Sequence, residues 1–188
     1  MKFYKKSNSF RESYIDTIGK LYDYSTIRYA NNRVSKVIDT DKEYTYAGFK
    51  AQCDSLSKQL TQFGIGASDK VAILSQNMPE WTVAFFATVP FGRIAIPILP
   101  ESSANEVTNI LNHSESKVLF VSRKLLPNVS RECIDKLTLV IDIETFEFIK
   151  QDNDKFTCDG KVAMPMPDDI ATIIYTSGTT GNAKGVVL

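Results

Sequence analysis

The segment from Tyr175 to Gly185, with the sequence YTSGTTGNAKG, holds the residues of this chain whose types and spacing are best suited to chemistry. It contains three glycines (Gly178, Gly181, Gly185), four hydroxyl residues (Thr176, Ser177, Thr179, Thr180) and one lysine, Lys184. Glycines let the backbone turn tightly, so that consecutive N–H groups can point inward and surround a polyphosphate. The hydroxyls can donate further hydrogen bonds, and the lysine adds a positive charge. The segment therefore predicts a phosphate-binding loop.

The position of this loop along the chain fits that prediction. It follows the apolar run Ile170–Tyr175, and open α/β sheets bind their ligands at the carboxyl ends of parallel strands. The alternative is a solvated linker of serine, threonine and glycine, but such linkers rarely place a lysine beside glycine between two apolar runs. The loop is not a Walker A motif, because Ala183 precedes the lysine where that motif needs glycine, and Gly185 follows it where serine or threonine is needed.

Five short apolar runs predict the strands of one mainly parallel sheet. They are Lys70–Ser75, Ile94–Leu99, Lys117–Ser122, Leu137–Asp142 and Ile170–Tyr175. They are rich in valine and isoleucine without clean alternation, which is typical of strands that helices bury on both faces. The spacing of the runs leaves room for the crossover helices that parallel connections need. The expected fold class is α/β, with a mainly parallel sheet, helices on both faces and a small antiparallel flap near the N-terminus.

The segments between these runs carry helix signals. Apolar residues three and four positions apart predict a helix over Tyr46–Phe63 that ends at Gly64. Pro79 suits the first turn of a helix over Glu80–Phe91, with Asn77 as its cap. The remaining expectations are helices at Phe10–Leu21, Asn105–Asn112 and Val129–Lys136, flap strands at Val34–Asp39 and Glu43–Thr45, and a long exposed connection at Lys150–Asp169.

Charge and composition exclude several classes of protein. Basic and acidic residues number 22 each, so the formal net charge is zero, without the basic excess of a nucleic-acid-binding protein. Cys53, Cys133 and Cys158 are an odd number at unrelated spacings, which excludes a disulfide framework and favours a reduced, cytoplasmic protein. The apolar stretch Trp81–Pro100 carries one charge, Arg93, and is interrupted by prolines and a glycine. We therefore interpret it as a buried helix, a turn and a buried strand rather than a membrane span.

Four weaker candidates for a functional role are given structural interpretations. His113, the only histidine, lies at the end of a predicted helix, and we interpret it as an ordinary half-exposed residue rather than a partner contact. Cys53 lies on the apolar face of its helix and Trp81 in a packed helix, so both are expected to pack inside the protein. The pair Asp168–Asp169 has no third ligand spaced nearby, which favours a solvated loop end over a metal site.

The segment YTSGTTGNAKGVVL resembles the phosphate loop of the adenylate-forming superfamily, which includes acyl-CoA synthetases, peptide-synthetase adenylation domains and luciferases. Its one departure is Ala183, where that family usually has proline; losing a proline costs about 1 kcal/mol of loop ordering and should not abolish binding. The segments EYTYAGFKAQCDSLSKQL and DKVAILSQNMPEW resemble earlier parts of the same family in order. The segments QNMPEW and NHSESKVLFV are most similar to those of long-chain fatty-acid–CoA ligases.

The resemblance implies a two-step reaction, in which ATP activates a carboxylic acid, foremost a long-chain fatty acid, to an acyl-adenylate that coenzyme A then converts to a thioester. It implies that Lys184 is catalytic and that Thr176 lies near Mg²⁺. It further implies that ATP is bound by Thr176, Ser177, Gly178, Thr179, Thr180, Gly181 and Lys184. No nucleic-acid partner is expected. A lipid substrate leaves peripheral membrane contact open, and a homodimer is also left open.

By the same resemblance, residues 1–188 correspond to the N-terminal portion of an AMP-binding domain. The sequence stops at the start of the apolar run Val186–Leu188, so we expect a truncated chain that is inactive alone. The adenine pocket, a Mg²⁺-binding carboxylate, most of the acid tunnel and a mobile C-terminal domain with a catalytic lysine would follow later. Three alternatives stay open: an adenylating enzyme with another acid or acceptor, a kinase-like or NTPase enzyme with a degenerate loop, and a non-catalytic α/β nucleotide-binding module.

Overall fold

The computed structural model describes residues 15–38, 40, 43–156, 162–176 and 184–188. Within these ranges the α-helices are α1 (Ile18–Arg28), α2 (Tyr46–Gln62), α3 (Pro79–Phe86), α4 (Ala104–Ser114) and α5 (Arg131–Lys136). The strands in the same ranges are β1 (Arg33–Lys36), β2 (Glu43–Thr45), β3 (Lys70–Leu74), β4 (Ile94–Ile98), β5 (Val118–Val121), β6 (Leu139–Asp142), β7 (Phe148–Gln151), β8 (Ile173–Thr176) and β9 (Lys184–Val187).

The central sheet has the strand order β4-β3-β5-β6-β7. Strands β4, β3, β5 and β6 are parallel, and β7 joins the edge antiparallel to β6. A separate antiparallel pair, β1 and β2, forms the small flap near the N-terminus. The predicted α/β class with a mainly parallel sheet is therefore confirmed.

Helices cover the sheet on both faces, which explains why its strands lack polar alternation. In β3, Val71 and Ile73 belong to the core cluster that includes residues of α1, α2 and α3. The alternate residues Ala72 and Leu74 belong to the cluster that includes residues of α4 and α5. Successive side chains of a strand point to opposite faces, so this one strand contributes to both layers of core.

Local signals set both ends of α2 and the start of α4. Thr45 caps α2 by accepting a hydrogen bond from the Gly48 amide at 3.2 Å, and Gly64 follows the helix with a φ of 73°. The predicted buried face of this helix is confirmed, since Phe49, Cys53, Leu56, Leu60 and Phe63 are all buried. A capping box begins α4: the Glu106 amide donates to the Ser103 hydroxyl, and the Ser103 amide donates to the Glu106 carboxylate.

The prediction of one helix over Glu80–Phe91 is wrong. Helix α3 ends at Phe86, and a separate 3₁₀ turn spans Val89–Phe91. Pro90 has no amide hydrogen for an α-helical bond, which explains the break. The prediction that Asn77 caps the helix is also wrong, because Met78 occupies the N-cap position and gives no side-chain hydrogen bond.

Three other expectations need correction. The helix predicted over Phe10–Leu21 begins at Ile18 and continues to Arg28; residues 10–14 lie outside the described part of the chain. The stretch Lys150–Asp169 is not wholly a connection, because β7 extends to Gln151 and a 3₁₀ turn spans Asn153–Lys155. The run Ile170–Tyr175 is not a strand of the central sheet, since β8 pairs with β9 in a separate hairpin.

Arg93, the one charge in the apolar stretch, is buried at 1% exposure. Its guanidinium donates to the carbonyl oxygens of Ile65 and Ala87 and to both oxygens of Ser57, and it also donates to the Thr61 hydroxyl. Ser57 and Thr61 lie in the last part of α2, and Ala87 follows α3, so the cation lies near the negative ends of two helix dipoles. Burial lowers the pKa of Arg93 to about 10, which leaves it charged at neutral pH.

We predict that Arg93→Met destabilises the protein, because methionine fills much of the space but removes the hydrogen bonds that the buried guanidinium donates to the Ile65 and Ala87 carbonyls. The free energy of unfolding should fall by about 3 kcal/mol in urea denaturation. Arg131→Met is the matched control, because Arg131 is exposed and pairs with Asp135 one helical turn away. The control should change stability by less than about 0.5 kcal/mol. Equal losses in the two variants would contradict this account of Arg93.

Candidate functional site

Strands β8 and β9 form an antiparallel hairpin that carries the predicted phosphate loop. Thr176 lies directly opposite Lys184 in the last pair of the ladder, so these residues mark the two ends of the loop. Both are exposed to solvent. Of the predicted site residues, Ser177, Gly178, Thr179, Thr180 and Gly181 lie outside the described part of the chain, so their roles stay predictions.

The pairing of Thr176 with Lys184 brings a hydroxyl and an ammonium group to one face of the hairpin. Directly opposite residues of an antiparallel pair have Cβ atoms about 4.5–5.5 Å apart and share a face. A hydroxyl that can donate or accept and a mobile cation can together contact a phosphate group at the mouth of the loop. The geometry thus joins two predicted ligands that are eight positions apart in sequence.

The base of the hairpin is attached to the edge of the central sheet. The Ala95 amide donates to the Ala171 carbonyl at 3.0 Å, and the Thr172 hydroxyl donates to the Ala95 carbonyl at 2.8 Å. Thr172 and Ala95 form a parallel bridge, so the chain enters β8 in the same direction as β4. The loop consequently follows a strand that runs in the direction of β4, as the sequence predicted, but that strand pairs with β9 in an antiparallel hairpin rather than with the parallel sheet.

Tyr175 is the most buried of the described hairpin residues, with 8% exposure. Its ring belongs to the core cluster that contains Ile110 and Leu111 of α4. Its hydroxyl lies 2.8 Å from Nδ1 of His113, and the two rings meet edge to face. Burial raises the pKa of the Tyr175 phenol, which keeps it protonated at neutral pH.

The contact with Tyr175 corrects the interpretation of His113. His113 is exposed rather than half-exposed. Its imidazole contacts the Tyr175 hydroxyl, so it is not an ordinary helix-end residue. The two residues are 62 positions apart. No local spacing pattern could have revealed the pair, because it depends on how α4 packs against the hairpin.

Gly185 has a role in the hairpin that the sequence did not reveal. From the sequence, Gly185 was predicted to let the backbone of the loop turn tightly. The structure instead places it in β9, opposite Tyr175. A Cβ added at this position would lie 2.8 Å from Cγ2 of Ile173 and 3.4 Å from Cζ of Tyr175. The glycine therefore lets these two side chains lie against the backbone of β9.

The remaining weak candidates lie where the sequence predicted: two pack against the core and one pair lies at an exposed loop end. Cys53 is fully buried, and Trp81 stacks on Phe85 beside the same core cluster. Asp168 and Asp169 are exposed at a loop end, where a carboxylate oxygen of Asp169 accepts a hydrogen bond from the Met166 amide.

Across the described ranges, no group of three or more histidine, cysteine or acidic side chains is arranged to hold a metal. The helices within those ranges are all too short or too polar to cross a bilayer.

Comparison with known proteins places this chain in a family. Residues 27–188 match the family described as AMP-binding enzyme. The chain belongs to that family. The match includes the flap, the central sheet and both ends of the loop, and it confirms the resemblance to adenylate-forming enzymes.

Individual relatives agree with the family match. The long-chain-fatty-acid–CoA ligase FadD13 of Mycobacterium tuberculosis is 34% identical over 157 residues, which cover 79% of this chain and 30% of that protein. A linear gramicidin synthase of Brevibacillus parabrevis is 30% identical over 148 residues, covering 79% of this chain and 3% of that protein. The chain spans between 25% and 37% of the length of five acyl-CoA synthetases and ligases that it matches.

A solved structure confirms the fold. The inhibitor-bound N-terminal domain of FACL13 from Mycobacterium tuberculosis superposes with a TM-score of 0.76 at 27% identity. The similarity covers 93% of this chain and 44% of that one.

We predict that Gly185→Ala loosens the hairpin, because the new methyl group would collide with Ile173 and press on Tyr175. The free energy of unfolding should fall by about 1–3 kcal/mol, the usual cost of overpacking. Gly66→Ala is the matched control, since a Cβ added at Gly66 meets no atom within 4 Å. Chemical denaturation of both variants measures the difference. A loss for Gly185→Ala no larger than for Gly66→Ala would show that β9 does not need glycine.

Proposed function

We propose that this chain is the N-terminal portion of the large domain of an AMP-forming acid–CoA ligase that acts in the cytoplasm. The observation that carries the proposal is a family match that includes a loop whose two ends, Thr176 and Lys184, are paired across a hairpin. The similarity to FadD13 supports a long-chain fatty acid as the substrate class. Small-molecule substrates, and not nucleic acid, are the proposed partners.

The proposed reaction has two steps. A carboxylate oxygen of the acid attacks the α-phosphorus of ATP, the bond from that phosphorus to the oxygen bridging to the β-phosphorus breaks, and pyrophosphate leaves. The thiol of coenzyme A then attacks the acyl carbon of the adenylate, AMP leaves with the bonding electrons, and the thiol proton is released. The first step demands the most from fixed charges, because negative charge grows on the departing pyrophosphate.

Residues of this chain meet that demand at the loop. The Lys184 ammonium would neutralise charge on the β- and γ-phosphate oxygens, while the Thr176 hydroxyl contacts the same group from the opposite strand. Because the hairpin holds the two side chains on one face, they would not need to be brought together during the reaction.

Thr176 is also the residue that would contribute to a Mg²⁺ site. Mg²⁺ prefers oxygen ligands and takes most of them from phosphates and water, so an exposed hydroxyl at the mouth of the loop suits it. When bound, the metal ion would offset negative charge on the phosphates. The adenine pocket, the acid tunnel and a catalytic lysine of a mobile C-terminal domain would be supplied by residues after Leu188.

A second candidate is an adenylating enzyme that transfers its acyl group to a carrier-protein thiol. The similarity to the linear gramicidin synthase favours keeping it. The two candidates share the first step and differ in the second. Full-length protein given the acid and ATP should form acyl-CoA when coenzyme A is added, whereas the second candidate would load only a phosphopantetheinylated carrier protein.

We predict that Lys184→Ala in the full-length protein lowers acid-dependent ATP–pyrophosphate exchange by about 10²–10³-fold. The KM for the acid should stay nearly unchanged, because the charge is needed as pyrophosphate departs. Lys155→Ala is the control, since Lys155 is also an exposed lysine but lies in a 3₁₀ turn outside the hairpin, and it should leave exchange unchanged. Wild-type exchange in Lys184→Ala would show that the loop does not act on phosphates.

We also predict weak nucleotide binding by residues 1–188 alone. A segment composed mainly of glycine and hydroxyl residues is expected to lose much chain entropy when ATP orders it, and this loss reduces the affinity. Calorimetry at matched Mg²⁺ and salt should give a dissociation constant for ATP of about 1 mM, with far tighter binding by the full-length protein. Micromolar binding by residues 1–188 would mean that most of the nucleotide site lies before Leu188.

A further inference from the structure

Tyr175 is placed to control the geometry of both ends of the loop. It precedes Thr176 in β8, and it lies opposite Gly185, which follows Lys184 in β9. Because Gly185 has no side chain, the Tyr175 ring lies against the backbone of β9. A shift of this ring would therefore move the backbone on either side of the loop.

The hydroxyl of Tyr175 is held by a residue on a different element. His113 lies in the last turn of α4, and its Nδ1 is 2.8 Å from the Tyr175 hydroxyl oxygen. The ring centroids are 5.6 Å apart with an angle of 84° between the ring planes. The phenol donates to an unprotonated Nδ1, and a protonated Nδ1 donates to the phenol oxygen. The bond can thus form in either protonation state of the imidazole.

Helix α4, which carries His113, is held in place at its N-terminal turn and along its buried face. Its capping box fixes the N-terminal turn, and Val107, Ile110 and Leu111 are buried in the core between the helix and the sheet. The cluster that contains these residues also contains Tyr175. The His113 imidazole adds a hydrogen bond to the Tyr175 hydroxyl at the edge of this packed layer.

We propose that His113 and Tyr175 act together as positioning residues for the phosphate loop. Their hydrogen bond joins α4 to the hairpin and sets where Thr176 and Lys184 lie relative to the sheet. Neither residue needs to touch ATP for this role. The inference rests on the proposed function, since positioning has a kinetic effect only if the loop binds the phosphates.

The test is a double-mutant cycle in the full-length protein, read by acid-dependent ATP–pyrophosphate exchange at a temperature well below every variant's unfolding midpoint. Tyr175→Phe removes only the hydroxyl, whereas His113→Leu removes the ring nitrogens together with the edge-to-face ring contact. Each should lower kcat/KM for ATP by about 3- to 10-fold, the value of one neutral hydrogen bond, without changing the KM for the acid. The double variant should be no worse than His113→Leu alone, because both changes break the same hydrogen bond.

Two further variants separate positioning from general damage. His113→Asn keeps a polar group near the position of Nδ1 and should restore kcat/KM to within about twofold of wild type. Asn109→Leu places an apolar residue at another exposed position of α4 and should leave the kinetics unchanged.

Two results would overturn the inference: Tyr175→Phe with wild-type kinetics, or a double variant whose loss equals the product of the two single losses. If Lys184→Ala is impaired in the same assay while Tyr175→Phe is not, only the positioning role fails. If Lys184→Ala also shows wild-type exchange, the proposed function itself fails.

Discussion

A loop made of glycines and hydroxyl residues has almost no apolar side chains to hold it, so its geometry depends on the strands that it joins. In this protein those strands are β8 and β9, and they lie outside the hydrogen-bonded ladder of the central sheet. Their attachment includes the bridge between Ala95 and Thr172 and the buried ring of Tyr175. The placement of Thr176 and Lys184 follows from these contacts, and the proposed chemistry follows from that placement.

Much of the fold could be predicted because burial leaves a clear pattern in sequence. Strands covered by helices on both faces appear as continuous apolar runs, and one-sided helices appear as apolar residues three and four apart. Strand β7 was missed because Phe148–Gln151 is half-buried and short, and it joins the sheet antiparallel as an edge strand. The break after Phe86 was missed because the apolar composition continues through it, although Pro90 gave a usable warning.

The candidate site could be predicted only in its composition. The loop motif identified the chemistry, because hydroxyls, glycines and a lysine at this spacing suit phosphate groups. The pairing of Thr176 with Lys184 and the contact of His113 with Tyr175 depend on strand register and on packing between distant segments. Gly185 shows the same limit, since its role is set by the ring across the ladder rather than by its neighbours in sequence.

The central claim is that the hairpin loop binds the phosphates of ATP, and hydrogen exchange with and without ATP and Mg²⁺ tests it most directly. In the full-length protein, nucleotide should slow exchange in peptides covering residues 173–188 and leave the flap strands β1 and β2 unchanged. The account predicts this local protection, with a smaller effect in α4 through His113. Protection elsewhere in residues 1–188, with none in 173–188, would contradict the account.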